Sequence, residues 1–280
     1  LAEATDQLGG RINAESSLPG MSSYGRVRDH RSLYLQQAAN VDIYFNSPLG
    51  PDEILEFGFK HIYLATGAKW QSDGLGRSHR RPIKGLDQMP VFNPDQIMAD
   101  ILPEKISPAN GDPSHVAIFD DDHYYMGSVL AEKLIAAGYM VTLITPESEI
   151  ATWTNNTLEQ GHIQKRLLLA GVELERNKVL SHVNAGKLHL SCSYTDRPSE
   201  LACDALVLIT QRTPQDQIYH ELKNNPAALE AAGIKTLRRI GDCLAPGIVE
   251  AATFSGHQAA REHEIGEDLP FKRERVTLGN

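Results

Sequence analysis

Two groups of residues in this 280-residue chain have the types and spacing for nucleotide chemistry. The first is Val116-Ala-Ile-Phe119, then Asp120-Asp-Asp-His-Tyr-Tyr-Met-Gly127, a helical run to Gly138, and Tyr139-Met-Val-Thr-Leu-Ile-Thr145. Strand, tight turn, helix and second strand in that order make the βαβ half of a dinucleotide-binding domain. A working turn reads G-x-G-x-x-G, so that bare backbone meets a pyrophosphate at the helix N-terminus. Here the first glycine positions are Asp120 and Asp122. A carboxylate ~5 Å from a phosphate charge costs about 3 kcal/mol at an effective dielectric of about 20. The second strand ends in Thr145, where an acid would hold an NAD ribose or a nearby Arg an NADP phosphate. The order of elements fits a nicotinamide-nucleotide domain, and the residues at its phosphate turn do not.

The second group is Glu3, Gly9-Gly10, Thr66-Gly67 and Gly241-Asp242. An acid at the end of a second parallel strand accepts hydrogen bonds from an adenosine ribose. A Gly-Gly turn after it lets backbone lie near a phosphate. His61-Ile-Tyr-Leu-Ala65 is an apolar strand, and Thr66-Gly67 marks where the chain leaves one nucleotide domain for another. Gly241-Asp242, followed by Pro246 and a helix, sets an acid and a helix N-terminus beside a diphosphate or ribityl chain. Each piece alone is generic. Their order and separations point to a flavin-type nucleotide domain.

Other reactive side chains have plainer readings. Asp120 to His123 could ligate a metal, but consecutive side chains in a turn point different ways, and acids capping the following helix fit better. Trp153 to Asn156 reads as a turn capping a helix from Thr157. His257 on the last helix has no redox cysteine pair to serve, and Cys243 is a small filler beside Asp242. Arg77 to Arg81 (RSHRR), between glycines and a proline, reads as a solvated loop. No residue stands out as catalytic and none as a metal ligand.

Composition narrows the field. A formal net charge of −9 argues against a nucleic-acid or anionic-membrane surface. No apolar run approaches the ~20 residues of a membrane helix. Three cysteines without a CxxC suggest neither disulfides nor a zinc or iron–sulfur site, and the cytoplasm is the default compartment. Asn155-Asn-Thr157 matches a glycosylation sequon by chance. The chain opens in Leu1-Ala-Glu-Ala4 and reads as a piece of something longer.

The elements that must position these residues alternate between strand and helix, which means an α/β fold. Helices are expected over Val27–Ala39, Pro51–Phe57, Pro94–Asp100, Thr157–Ala170, Asn225–Ala232 and Gly247–His263. Strands are expected at Val41–Phe45, His61–Ala65, Val172–Leu174 and Ala205–Thr210, with Leu237–Ile240 leading into Gly241 and a hairpin at Lys178–Val183 and Lys187–Tyr194. Residues 68–112, rich in Pro and Gly, read as a linker or excursion. The expectation is two Rossmann-like FAD/NAD(P)-binding domains, three-layered with parallel sheets, the second inserted in the first. The first would comprise 1–108 plus 237–280, and the second 109–236.

LGGRINAESSLPG (8–20), IYLATGAKW (62–70), FDDDHYYMGSVLAEKL (119–134), TWTNNTLEQ (152–160), RRIGDCLAPGIVEAATFSGHQAARE (238–262) and PFKRE (270–274) carry a closer resemblance. Together they resemble the C-terminal nucleotide-binding half of the trimethylamine dehydrogenase and histamine dehydrogenase family of iron–sulfur flavoproteins. The resemblance implies a preceding barrel with FMN and a 4Fe-4S cluster that oxidises an amine and passes electrons to an electron-transferring flavoprotein. It implies ADP or FAD at Glu3, Gly9, Gly10, Thr66, Gly67, Gly241 and Asp242, bound weakly or not at all here, because the first strand with its G-x-G-x-x-G turn does not appear before Leu1. The barrel and its cofactors belong to the parent enzyme only, so this portion is expected to be non-catalytic. Two other readings stand. One is the FAD and NAD(P)H domains of a 2,4-dienoyl-CoA reductase-type enzyme, against which Asp120 and Asp122 argue; the other is an interaction module with decayed nucleotide sites.

Overall fold

A computed structural model of the chain describes residues 1–102 and 113–265. The end of the expected linker and the PFKRE stretch lie outside the described residues. In chain order the helices are α1 (Arg11–Glu15), α2 (Gly25–Gln37), α3 (Pro51–Glu56), α4 (Pro94–Met98), α5 (Met126–Ala136), α6 (Gln160–Leu169), α7 (Gln217–Lys223), α8 (Pro226–Ala231) and α9 (Val249–Ile265). The strands are β1 (His61–Leu64), β2 (Ala68–Trp70), β3 (Val91–Phe92), β4 (His115–Asp120), β5 (Met140–Thr145) and β6 (Glu173–Arg176). They continue with β7 (Lys178–Asn184), β8 (Lys187–Cys192), β9 (Pro198–Ala202), β10 (Ala205–Ile209), β11 (Arg212–Pro214) and β12 (Thr236–Arg239). Among the described residues no helix is long and apolar enough to cross a membrane.

The chain falls into two compact units, one of 1–6, 42–69 and 213–280, the other of 7–41 and 70–212. These divisions differ from boundaries at about 108 and 237. Residues 7–41 group with the second unit because α1 and the segment leading into α2 pack there. Leu18 and Met21 join the core of Ile118, Leu130 and Val207, and the Tyr24 ring lies 5.5 Å from that of Tyr125.

The second unit is built on a five-stranded sheet, β3-β10-β4-β5-β6, in which all neighbours run parallel. Strand β4 reads Val-Ala-Ile-Phe and β10 Ala-Leu-Val-Leu-Ile, continuous apolar runs rather than alternating ones. Such strands are buried on both faces. Val116, Ile118, Val207 and Ile209 face α5 and α6, with Leu130, Leu134 and Leu167. Ala117, Phe119, Leu206 and Leu208 face the other way, against Leu180, Leu188 and Leu190 of an antiparallel sheet β7-β8-β9. The hairpin expected from sequence is thus a three-stranded layer, and it takes one face of the parallel sheet where a three-layer nucleotide domain carries helices. The supposed linker also contributes: β3 pairs with β10 and becomes the sheet edge. The chain runs from β4 outward to β5 and β6, then returns to the opposite side of β4 as β10. The order reverses at β4, and the crevice beyond the carboxyl ends there is where ligands bind in open α/β sheets.

The first unit holds a parallel pair, β1 with β12. Ile54 of α3, Leu64, Leu222 of α7 and Cys243 form its small core. The strand expected at Val41–Phe45 is reduced to one parallel bridge, Ala2 to Tyr44.

Candidate functional site

In the first unit, Thr66-Gly67 follows β1 and Gly241-Asp242 follows β12, so both pairs lie past the carboxyl ends of neighbouring parallel strands. The backbone closes between them, with Ile240 N donating to Leu64 O at 2.9 Å. Thr66 Oγ1 donates to the carbonyl of Gln215 and sits 3.1 Å from Cys243 Sγ. Gln215 returns two bonds, its backbone N to Gly67 O at 2.8 Å and its Nε2 to Thr66 O at 2.9 Å. The threonine side chain is therefore spent on the turn. Gly67 (φ 78°) and Gly241 (φ 58°) are both left-handed, which favours glycine. A Cβ at Gly67 would meet nothing nearer than Gln215 Nε2 at 3.9 Å. Gly241 N donates to Ser255 Oγ at 3.0 Å, and Asp242 Oδ1 accepts from Gly247 N at 3.0 Å, fixing the turn that leads into α9. Asp216, at the head of α7, accepts from Arg239, and His220 Nε2 lies 3.1 Å away. Desolvation opposes its charge, but the hydrogen bonds and charges of His220 and Arg239 prevail and lower its pKa.

Glu3 lies in the same unit, and its Oε1 accepts from Thr5 N and Thr5 Oγ1, both at 2.9 Å. Its carboxylate is engaged by its own turn.

Gly9 and Gly10 fall in the second unit. They open α1: Gly9 O accepts from Ile12 N and Gly10 O from Asn13 N, each at 3.1 Å. A Cβ on Gly9 would sit 2.8 Å from Arg28 Cδ and 2.6 Å from Asn13 Oδ1, so the Arg28–Asn13 hydrogen bond uses the close approach that glycine permits. The space at Gly10 is open, with nothing within 4 Å of a Cβ. Helix α1 then carries the buried Glu15, whose Oε2 accepts from Tyr125 Oη at 2.8 Å. Burial and the Glu15 charge raise the Tyr125 pKa.

The acidic turn stands at the switch point. Asp120 and Asp121 are 1% and 0% exposed, and His123 is 4% exposed with φ 66°. Asp120 Oδ1 accepts from the N–H groups of Asp122 and His123, both at 3.1 Å. A Cβ at Gly127 would fall 2.4 Å from Asp120 Oδ2, so the carboxylate rests on the glycine of the first helical turn. This corrects the capping expectation. Helix α5 starts at Met126 without a side-chain cap, and the aspartate closes the turn before it. Burial, then the charge of Asp122, push Asp120 up to about 8. Burial also raises Asp122, against the charges of Arg212 and Arg77, and lowers His123, against Asp121 and Glu147.

Asp121 is held from above. Its Oδ1 accepts from Ser78 Oγ at 2.6 Å and its Oδ2 from Ser78 N at 2.7 Å, while a Cβ on Gly76 would lie 2.5 Å from that Oδ2. The loop through Gly76 and Ser78 thus covers the crevice. Arg77 in it stacks on Trp153, with Cζ 4.5 Å from the ring centroid. Trp153 to Asn156 do not cap α6 as expected. They form a 3-10 turn in which Thr154 bonds back to Ala151 O, and α6 starts later without a side-chain cap. Sequence reading missed this lid; the one signal for it was the basic RSHRR run flanked by glycine. Among the described residues no group of three or more His, Cys, Asp or Glu could hold a metal ion.

A family model described as the OYE-like second alpha/beta domain matches residues 101–202. Dimethylamine dehydrogenase of Hyphomicrobium sp. (strain x) is 29% identical, over all of this chain and 40% of that protein. Among solved structures, histamine dehydrogenase from Rhizobium sp. 4-9 is 42% identical with a TM-score of 0.92, covering 100% of this chain and 40% of that one. The 6-hydroxypseudooxynicotine amine oxidase of Pseudomonas geniculata N1 is 37% identical with a TM-score of 0.85, over 92% and 37% of the respective chains. The chain spans about 40% of the length of the first two of these relatives. It is homologous to amine-oxidising dehydrogenases and fits the trimethylamine dehydrogenase and histamine dehydrogenase family along its whole length.

Proposed function

We propose that this chain is the adenine-nucleotide-binding portion of an amine-oxidising iron–sulfur flavoprotein, with ADP or FAD held in the unit that carries Thr66-Gly67 and Gly241-Asp242. The observation that carries the reading is the pair of left-handed glycines past the carboxyl ends of β1 and β12, open to close approach at Gly67. Bare backbone at parallel strand ends is what a diphosphate requires. Glu3 would serve the ribose once released from Thr5, and Asp242 would orient the turn before α9. Gly9-Gly10 lies in the other unit, with Gly9 already filled by Arg28, and takes no part in this reading.

FMN and the 4Fe-4S cluster would belong to a barrel in the parent enzyme. The residues here do not suit a cluster: Cys192 and Cys203 lie in one unit and Cys243 in the other. The portion's own role is to bind nucleotide and to offer a surface, not to oxidise the amine. Its partners would be that barrel and an electron-transferring flavoprotein, with no nucleic acid or membrane, in the cytoplasm. The 2,4-dienoyl-CoA reductase-type reading needs a phosphate loop at Asp120, where the carboxylate already rests on Gly127.

Calorimetric titration of ADP, FAD and NADH against the chain tests the proposal. ADP should bind more tightly than NADH, and Asp242→Ala and Glu3→Ala should each weaken it by about threefold to thirtyfold, the loss of one or two hydrogen bonds. NADH binding more tightly than ADP would favour the reductase. Binding of none of the three would favour an interaction module.

A further inference from the structure

In the RSHRR run Arg77, Ser78, Arg80 and Arg81 are exposed, as in a solvated loop. Residues 78–84 and strand β7 line an open groove of about 510 Å³ whose wall includes Arg80, Arg81, Lys84, His79, Ser181 and His182 and no acidic side chain. That is within the roughly 300–1,000 Å³ of small-molecule sites. The groove is fastened rather than loose. Ser78 bonds Asp121 at one end. In the middle, Ile83 N donates to Asp73 O at 2.8 Å and the Ile83 side chain is buried. At the far end Val183 N donates to Lys84 O at 2.9 Å, and Gly85 lies so close to β7 that a Cβ would overlap Val183 O.

Three cations therefore face one groove on a chain whose net charge is −9. Arg80, Arg81 and Lys84 make no ion pair among the described residues. Concentrating like charge without counter-charge is unfavourable unless an anion joins it. His182 stacks flat on His189, ring centroids 4.3 Å apart, and Glu200 lies by His189, 3.5 Å from its Nδ1, so the His182 edge stays toward the groove without a carboxylate of its own.

We propose that this groove binds a small organic phosphate, with Arg80 and Arg81 gripping the phosphoryl oxygens and Lys84 adding a third charge. Guanidinium forks match phosphate bidentately, which two adjacent arginines and a lysine can do for a diphosphate. The site is separate from the glycines past β1 and β12 and uses none of their residues.

Inorganic pyrophosphate is the probe, followed by calorimetry and phosphorus NMR on the full 280-residue chain. Wild type should bind it, and the Arg80→Ala/Arg81→Ala variant should bind at least about tenfold more weakly. Ser181→Glu, which sets a carboxylate in the wall, should weaken it similarly, and both variants should keep the wild-type circular dichroism because the sites are exposed. Hexaglutamate is the comparison. If it binds more tightly than pyrophosphate and depends on Arg80 and Arg81, the groove takes an acidic protein segment and the proposal falls. Equal pyrophosphate affinity in wild type and the double variant, or no binding to either, overturns it as well. ADP binding that is lost in Asp242→Ala and kept in the double arginine variant belongs to the other unit, so each reading can fail alone.

Discussion

At the scale of single residues, Asp120 has the most to explain. Its folded pKa of about 8 lies well above the ordinary value of 3.8, because burial and the Asp122 charge penalise the carboxylate. The folded state then holds a proton that the unfolded chain has released. Stability should fall as pH rises from about 4 toward 8, since the unfolded state binds fewer protons over that range. Asp120→Asn keeps an acceptor for the N–H groups of Asp122 and His123 and carries no charge. It should raise the unfolding free energy at pH 8 by more than about 1 kcal/mol and flatten the slope between pH 4 and 8, as read by urea denaturation across that range. An unchanged slope would mean that Asp120 is not the titrating group. The sequence made part of this legible: acids in place of glycines said that phosphate is unwelcome. It could not say where the carboxylates go, because Asp120 rests on Gly127 from the next turn and its neighbour Asp121 is held by the lid residue Ser78 from 43 positions away. Glu3 shows the reverse. Its type fits a ribose acceptor, yet its first partner is Thr5, two residues on, and no pattern in the sequence announced that local bond.

Elements were readable where one hydrophobic period dominated. β4, β5 and β10 are continuous apolar runs, and α5 carries a broad buried face, so the parallel sheet and its crossover were evident. Short elements held by their neighbours were not. β3 has two residues and exists through its pairing with β10; β9 alternates without a strong apolar face and exists through β8. Val41–Phe45 went the other way, rich in strand formers but supported only by Leu1 to Glu3. The lid over β4 is likewise a tertiary element, and its bond to Asp121 should be measurable. Ser78→Ala removes a 2.6 Å hydrogen bond to a fully buried carboxylate. The expected cost is about 1.5–3 kcal/mol of unfolding free energy, with Ser78→Thr restoring most of it. A loss below about 0.5 kcal/mol would show that the backbone N–H of Ser78 suffices.

On the scale of the whole molecule, the chain's two units are assembled unequally. The first gathers three segments separated by as many as 143 residues, from Lys69 to Thr213, whereas most of the second is continuous. Its small core makes it the weaker of the two. Leu222→Ala, at a side chain 2% exposed, should cost about 2–5 kcal/mol and lower the midpoint seen by far-ultraviolet circular dichroism. The transition seen by tryptophan emission should stay in place, because both tryptophans, Trp70 and Trp153, belong to the second unit. Coincident shifts would mean that the units unfold together. The same placement bears on any ligand screen. A nucleotide at 100 times its Kd stabilises its host by about 2.7 kcal/mol, and Trp70 follows Gly67 by three residues. An anion arriving beside Arg80, three residues from the guanidinium stacked on Trp153, would change the emission directly. The chain thus carries a built-in optical label beside its basic run, in the indole of Trp153 under the Arg77 guanidinium.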